Sequence, residues 1–263
     1  MTEVLGQSSH WQSASLAEIP PLKAHEVHLW WLPLTLNESQ TKLALELLSD
    51  LQRDKYHRRA NQRLKSAYLA GRYYLLHLLG AYSGQKPEDI ELSYSRLNKP
   101  SLSDPKLNID FNFTDTDGAD HSIGLFAFSK AHSLGVDVEN RARDIDVSRV
   151  VAKRFSDQEQ AFVLKGDKVD RERALSIWTR KEAYGKATGN GINFRMNAEN
   201  LISPSQELHK AQTTDADFSF AFNDSLNQAW RCEQFQLGTE FIACVVHEGH
   251  QKLSFKAFNS LSI

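Results

Sequence analysis

The chain has 263 residues, 41% of them hydrophobic and 24% charged, with 31 Lys and Arg against 33 Asp and Glu for a formal net charge of −2. That balance argues against a globally basic nucleic-acid or membrane-surface binder. Two cysteines, Cys232 and Cys244, cannot frame a disulfide-stapled secreted fold. No run approaches the roughly 18 apolar residues of a membrane span, and the N-terminus lacks the basic-then-apolar signature of a secretory signal. The expectation is a cytoplasmic globular protein with no nucleic-acid or membrane partner.

In chain order, residues 1–24 are polar and aperiodic and are expected to form a flexible arm. Residues 27–34 read as a strand stopped by Pro33. Leu43, Leu47, Leu48 and Leu51 recur at helical spacing, and Leu64, Tyr68, Gly71, Leu75, Leu78 and Leu79 make the apolar face of a longer helix ended by Gly84. The first turns of that helix are basic: Arg53, Lys55, His57, Arg58, Arg59, Arg63 and Lys65. Residues 90–94, 107–113 and 123–128 alternate as strands, with Asn98-Lys99-Pro100 a turn and residues 117–120 a hairpin connection. Residues 134–139 form another short strand. Ser156 and Glu159 match a capping box, residues 171–188 a helix ended by Gly189, and residues 218–222, 230–235 and 241–246 late strands. Strand, helices and strands thus follow one another twice. The expected fold is α+β, with an N-terminal half at 25–130 and a C-terminal half at 131–263, each a small antiparallel sheet packed with helices.

Asp137 and Glu139 are two apart on a strand, so both point to one face while Val136 and Val138 point to the other. Alternating acids are most often the wet face of a sheet. A second motif changes that balance. Trp178, Glu182 and Lys186 fall at i, i+4 and i+8, one stripe of a helix. An acid beside a tryptophan, with a lysine one turn on, suits a phosphate–metal ligand, because the acid can complete a cation shell or take a proton and the lysine can neutralise phosphate.

The run Gly135-Val-Asp-Val-Glu139, followed after about 40 residues by Trp178-Thr-Arg-Lys-Glu-Ala-Tyr-Gly-Lys186, resembles the paired signature of the 4′-phosphopantetheinyl transferase superfamily, best its larger, Sfp-like branch. Asn98-Lys99-Pro100 is similar to that branch's Gly-Lys-Pro turn. Residues 111–116 sit where it has Phe-Asn-x-Ser-His-Ser, and Arg154-Phe155-Ser156 with Glu159 resembles a further stretch. The resemblance spans roughly residues 25–247. It implies a monomer built as a pseudo-dimer of two α+β halves, and transfer of phosphopantetheine from coenzyme A to a serine of an apo acyl, polyketide or peptidyl carrier protein, with release of 3′,5′-ADP.

By the same resemblance, Asp137, Glu139 and Glu182 hold Mg²⁺, Glu182 is the base for the carrier serine, and Lys186 contacts the pyrophosphate. Lys55, Lys99, Arg59 and Arg63 are the cations for coenzyme A phosphates, and Asn112 and Thr114 hydrogen-bond to it. The family's histidine is replaced here by Asp115, which repels phosphate. Either Asp115 contacts the adenine or ribose or orients a basic neighbour, or coenzyme A is held differently. Two rival readings share the acids and the lysine: a Mg²⁺-dependent phosphodiesterase or nuclease, and a non-catalytic protein that docks carriers.

Overall fold

The computed structural model describes residues 11–191, 194–203 and 218–263. The chain runs β1 (Trp11–Ser15), β2 (Glu26–Pro33), α1 (Glu38–Glu46), α2 (Asp50–His57), α3 (Gln62–Ser83), β3 (Leu92–Tyr94), β4 (Pro100–Leu102), β5 (Ile109–Asp117), β6 (Ser122–Lys130) and β7 (Leu134–Asn140). It continues through α4 (Val147–Arg154), α5 (Asp157–Val163), β8 (Leu164–Lys165), β9 (Lys168–Val169), α6 (Arg171–Thr188), β10 (Phe218–Asn223), β11 (Ala229–Leu237), β12 (Phe241–Glu248) and β13 (Ser254–Ser262). The fold is α+β. Among the described residues no helix is long and apolar enough to cross a membrane.

Side-chain caps fix where the helices begin. The Asn37 side chain accepts from the Gln40 amide and the Ser49 side chain from the Gln52 amide, each glutamine answering in a capping box. Asn61 accepts from the Leu64 amide. The leucine spacing expected as one helix is therefore two, and the basic run is split between α2, the connection after it and the start of α3.

Two sheets build the body. One has the order β1-β13-β2-β6-β5, the other β10-β11-β12-β7. In the first, β2 pairs antiparallel with β6 and β6 with β5; in the second, β7 pairs antiparallel with β12 and β12 with β11. Strand alternation then layers the molecule. Trp30 and Leu32 of β2, with Phe126 and Phe128 of β6, pack under α3 against Tyr73, Leu75 and Leu79. Val27, Leu29, Leu125 and Ala127 point the other way and meet Leu134, Val136, Val138, Ala243 and Val245 of the second sheet. Beyond that sheet, Cys232, Cys244 and Trp230 pack on Ala183, Tyr184 and Ala187 of α6.

Two departures from the sequence reading concern the ends. Residues 11–15 of the expected arm form β1, parallel to β13. β13 itself lies parallel to β2, with Phe255 opposite Val27 and Phe258 opposite Trp30. The last stretch of the chain thus belongs to the first sheet, where the Phe258 and Trp30 rings stack 4.2 Å apart. Residues 1–10 lie outside the described residues.

Candidate active site

The site begins with the pleat of β7. Leu134, Val136 and Val138 are buried between the sheets, which leaves Gly135, Asp137 and Glu139 on the face toward α6. Gly135 decides how near the helix comes. A Cβ there would lie 2.2 Å from both the Ala183 carbonyl oxygen and the Ala187 nitrogen, so only glycine lets the α6 backbone rest on the strand. Asp170 caps the start of α6 and Gly189, at φ 70°, ends it.

With the helix so placed, its stripe meets the acids. Trp178 Nε1 donates to Glu139 Oε1 at 2.9 Å. Lys186 Nζ donates to Asp137 Oδ1 at 2.7 Å and to Thr114 Oγ1 at 2.9 Å. Arg143 Nη1 donates to Glu139 Oε2 at 2.9 Å. Asp137 and Glu139 are 5% and 4% exposed, so this is no wet sheet face.

The electrostatics are those of crowded carboxylates. Burial first, and the Asp137 charge second, push Glu182 up to about 8, against the pull of Lys186. Burial and then Asp137 also raise Glu139, opposed by Arg143. Asp137 Oδ2 is buried with no hydrogen-bond partner. A bare carboxylate oxygen beside a second carboxyl that holds its proton suits a hard divalent cation, which takes oxygen ligands and would let both acids ionise. The expected ring of three is nevertheless not assembled. Among the described residues no group of three His, Cys, Asp or Glu side chains is gathered as a metal cluster. Glu139 has turned both oxygens to Trp178 and Arg143.

Other residues of the Trp178–Lys186 run are structural anchors. Arg180, fully buried, donates to Gln234 Oε1, the Leu201 carbonyl and Ser176 Oγ, each at 2.7 Å. Lys181 Nζ lies 2.8 Å from Glu159 Oε2 and donates to the Met196 and Glu199 carbonyls. Glu159 in turn accepts from the Leu201 amide at 2.9 Å. These bonds tie α5 and residues 196–201 to the back of α6.

β5 supplies a seam along the edge of β7. Asp110 Oδ2 accepts from the Leu134 amide at 2.9 Å and Asn112 Oδ1 from the Val136 amide at 3.0 Å, while Thr114 donates to Asp137. Asn112, expected to touch coenzyme A, is buried in this seam. Lys99, expected at a phosphate, donates to Asp110, the Leu134 carbonyl and the Ala187 carbonyl at 3.0–3.4 Å, which uses its three protons inside the protein.

The remaining expected cations line the first half. Lys55 Nζ stands 4.9 Å from the Tyr94 ring centre. Arg63 pairs with Asp117 at 3.3 Å and donates to the Gly118 carbonyl. Arg59 packs on the Tyr68 ring at 4.9 Å. Sequence reasoning missed Arg72, which packs on the same ring at 5.4 Å. A signal existed: Arg72 is the single Lys, Arg, Asp or Glu between Lys65 and Lys86. Asp115, on the exposed rim of β5, has its carboxyl raised by the protein crowding it, against Lys186, Arg59 and Arg72.

A family model described as the 4′-phosphopantetheinyl transferase superfamily matches residues 133–246, which contain β7, α6 and the whole acidic cluster. The chain is 30% identical over 199 residues to the 4′-phosphopantetheinyl transferase HetI of Nostoc sp. (strain PCC 7120), a stretch covering 74% of this chain and 81% of that protein. It is 28% identical over 150 residues to a protein named as a candidate enzyme of the same kind, slr0495 of Synechocystis sp. (strain PCC 6803), covering 56% of this chain and 58% of the other.

Proposed function

The chain belongs to the 4′-phosphopantetheinyl transferase superfamily, and from that premise we propose that Asp137, Glu182 and Lys186 form its reaction centre. The enzyme moves phosphopantetheine from coenzyme A to a carrier protein. A serine oxygen of the carrier attacks the phosphorus that bears pantetheine, and the bond to the leaving 3′,5′-ADP oxygen breaks. Such a displacement needs alignment and charge neutralisation more than covalent help.

One observation carries this reading: Glu182 is pushed up to about 8 beside an Asp137 oxygen that is buried without a partner. Mg²⁺ would be held there by Asp137 and Glu182 and would offset the pyrophosphate charge; Glu139 would join only by leaving Trp178 and Arg143. Glu182 takes the serine proton, directly or through water. Lys186, now held by Asp137 and Thr114, contacts the pyrophosphate and neutralises the charge that develops on the leaving 3′,5′-ADP as a point cation. Lys55, Arg59 and Arg63 supply positive charge around the anionic cofactor and a basic face for an acidic carrier.

Incubation with coenzyme A, Mg²⁺ and apo carriers from fatty-acid, polyketide and peptide synthases tests the proposal. A carrier should gain the mass of one phosphopantetheine on a single serine, and EDTA should abolish the gain. If no carrier is modified and calorimetry shows no coenzyme A binding with Mg²⁺ present, the reading fails.

A further inference from the structure

Glu139 is held by two donors of different origin. Trp178 Nε1, on α6, reaches Oε1 at 2.9 Å, and Arg143 Nη1 reaches Oε2 at 2.9 Å and Oε1 at 3.3 Å. The acid is buried, whereas the Arg143 side chain is 56% exposed. One member of this ion pair is therefore confined to the site, and the other can leave it for solvent. Lys186, the second cation set against the acids, holds Asp137 through Oδ1 and leaves Oδ2 buried and bare. Asp137 thus keeps an oxygen for a cation, and Glu139 keeps none.

The chain builds this arrangement locally. Arg143 lies between β7 and α4, four residues after Glu139, in a turn closed by its own amide on the Asn140 carbonyl at 3.0 Å. The Asn140 side chain accepts from the Ala142 amide at 2.8 Å and tightens the same turn. Arg171, at the start of α6, donates to the carbonyls of Arg141, Arg143 and Ile145. These bonds tie the turn to the helix that carries Trp178, so both donors meet Glu139 from anchored backbone. Among the charges acting on Arg143, Glu139 is the strongest, followed by Asp137 and Asp117. The guanidinium therefore belongs to the acidic cluster.

We infer that Arg143 is a positioning residue that keeps Glu139 out of the cation shell, so that a divalent cation binds tightly only together with coenzyme A. With Glu139 occupied, the protein offers such a cation the carboxylates of Asp137 and Glu182 alone. Mg²⁺ demands near-octahedral oxygen ligation and gives up water reluctantly, so two carboxylates hold it weakly. The pyrophosphate of coenzyme A brings the further oxygens. Arginine and metal compete for one carboxylate, the first through its planar fork and the second through its charge. The inference rests on the proposed metal centre and adds a residue that the paired sequence motifs do not contain.

The test counts bound Mn²⁺, which takes the same oxygen ligands as Mg²⁺, by the paramagnetic resonance of the free ion. The wild type is compared with Arg143→Met, Glu139→Gln and the double variant, with and without coenzyme A. Without coenzyme A, Arg143→Met should bind Mn²⁺ about tenfold or more tightly than the wild type, because a third carboxylate is released to the ion. In the Glu139→Gln background the same substitution should change affinity by less than about twofold. Arg143→Lys, which keeps the charge, should stay close to the wild type. With coenzyme A present the gap between wild type and Arg143→Met should narrow. Should Arg143→Met melt early, Trp178→Phe, which removes the other donor, carries the same cycle with Glu139→Gln. A gain of equal size in the Glu139→Gln background is the field of a removed charge and overturns the positioning role. A wild type that binds Mn²⁺ beside an Arg143→Met that shows no gain overturns that role alone. A wild type that holds no Mn²⁺ even with coenzyme A present overturns the metal centre and the positioning role together.

Discussion

α3 and α6 are the longest helices among the described residues, and a glycine sets how each meets its sheet, but from opposite partners. Gly71 is on the helix and makes room for the Phe113 ring of the strand, 2.8 Å from an added Cβ. Gly135 is on the strand and makes room for the helix backbone, 2.2 Å from an added Cβ. In the first half a dry layer of Trp30, Phe111, Phe126 and Phe128 separates helix from sheet. In the second, Asp137 and Glu139 meet Trp178 and Lys186 directly. The thick interface is apolar; the thin one crowds charges until the Glu182 carboxyl is pushed up to about 8.

The largest contrast should come from the glycines. Gly135→Ala cannot be absorbed by a side-chain shift, so a loss of about 3 kcal/mol or more is expected, seen as insoluble protein or an early denaturant midpoint. Gly71→Ala asks only that an aromatic ring move, and about 1–2 kcal/mol is expected. Equal losses would erase the distinction between the two interfaces. Next comes Lys181→Met, which leaves Glu159 buried and unpaired, for about 3–5 kcal/mol in urea unfolding; replacing both partners by apolar residues should cost less.

A smaller effect concerns pH. The folded pKa of Glu182, about 8, lies above its ordinary value of 4.5. The folded state therefore binds the proton more tightly, and the stability it contributes is complete below 4.5 and lost as pH rises through about 8. In metal-free buffer the melting temperature of the wild type should fall relative to Glu182→Gln across that window, and Mg²⁺ should narrow the gap. Parallel curves would show that the carboxyl is not crowded as described. The smallest effect is expected at Arg63→Ala, since both partners of the Asp117 pair are exposed: under about 1 kcal/mol.

What the sequence made legible was local. Alternation at residues 134–139 placed both acids on one face, and the i, i+4, i+8 stripe placed Trp178, Glu182 and Lys186 together. The parallel pairing of β13 with β2 joins residues more than 200 apart and leaves no periodic trace. The break between α1 and α2 was hidden because the leucine spacing runs across it, although Asn37/Gln40 and Ser49/Gln52 carry the capping signal. Lys99 and Asn112, expected at the cofactor by resemblance, bond within the protein, to the Ala187 carbonyl of α6 and from the Val136 amide of β7, contacts that residue spacing does not show. Glu139 was legible as a carboxylate on the right face, but not the Arg143 four residues later that holds it.

The proposed reaction centre is the thin interface, where Glu182 acts through its basicity. The direct measurement is the rate at which Glu182→Gln loads an apo carrier at saturating coenzyme A and Mg²⁺, read by mass, with 3′,5′-ADP affinity and melting temperature followed on the same protein. The prediction is loading slower by about 10²–10⁴-fold, with the fold intact and 3′,5′-ADP still bound. Loading within a few-fold of the wild-type rate would contradict it.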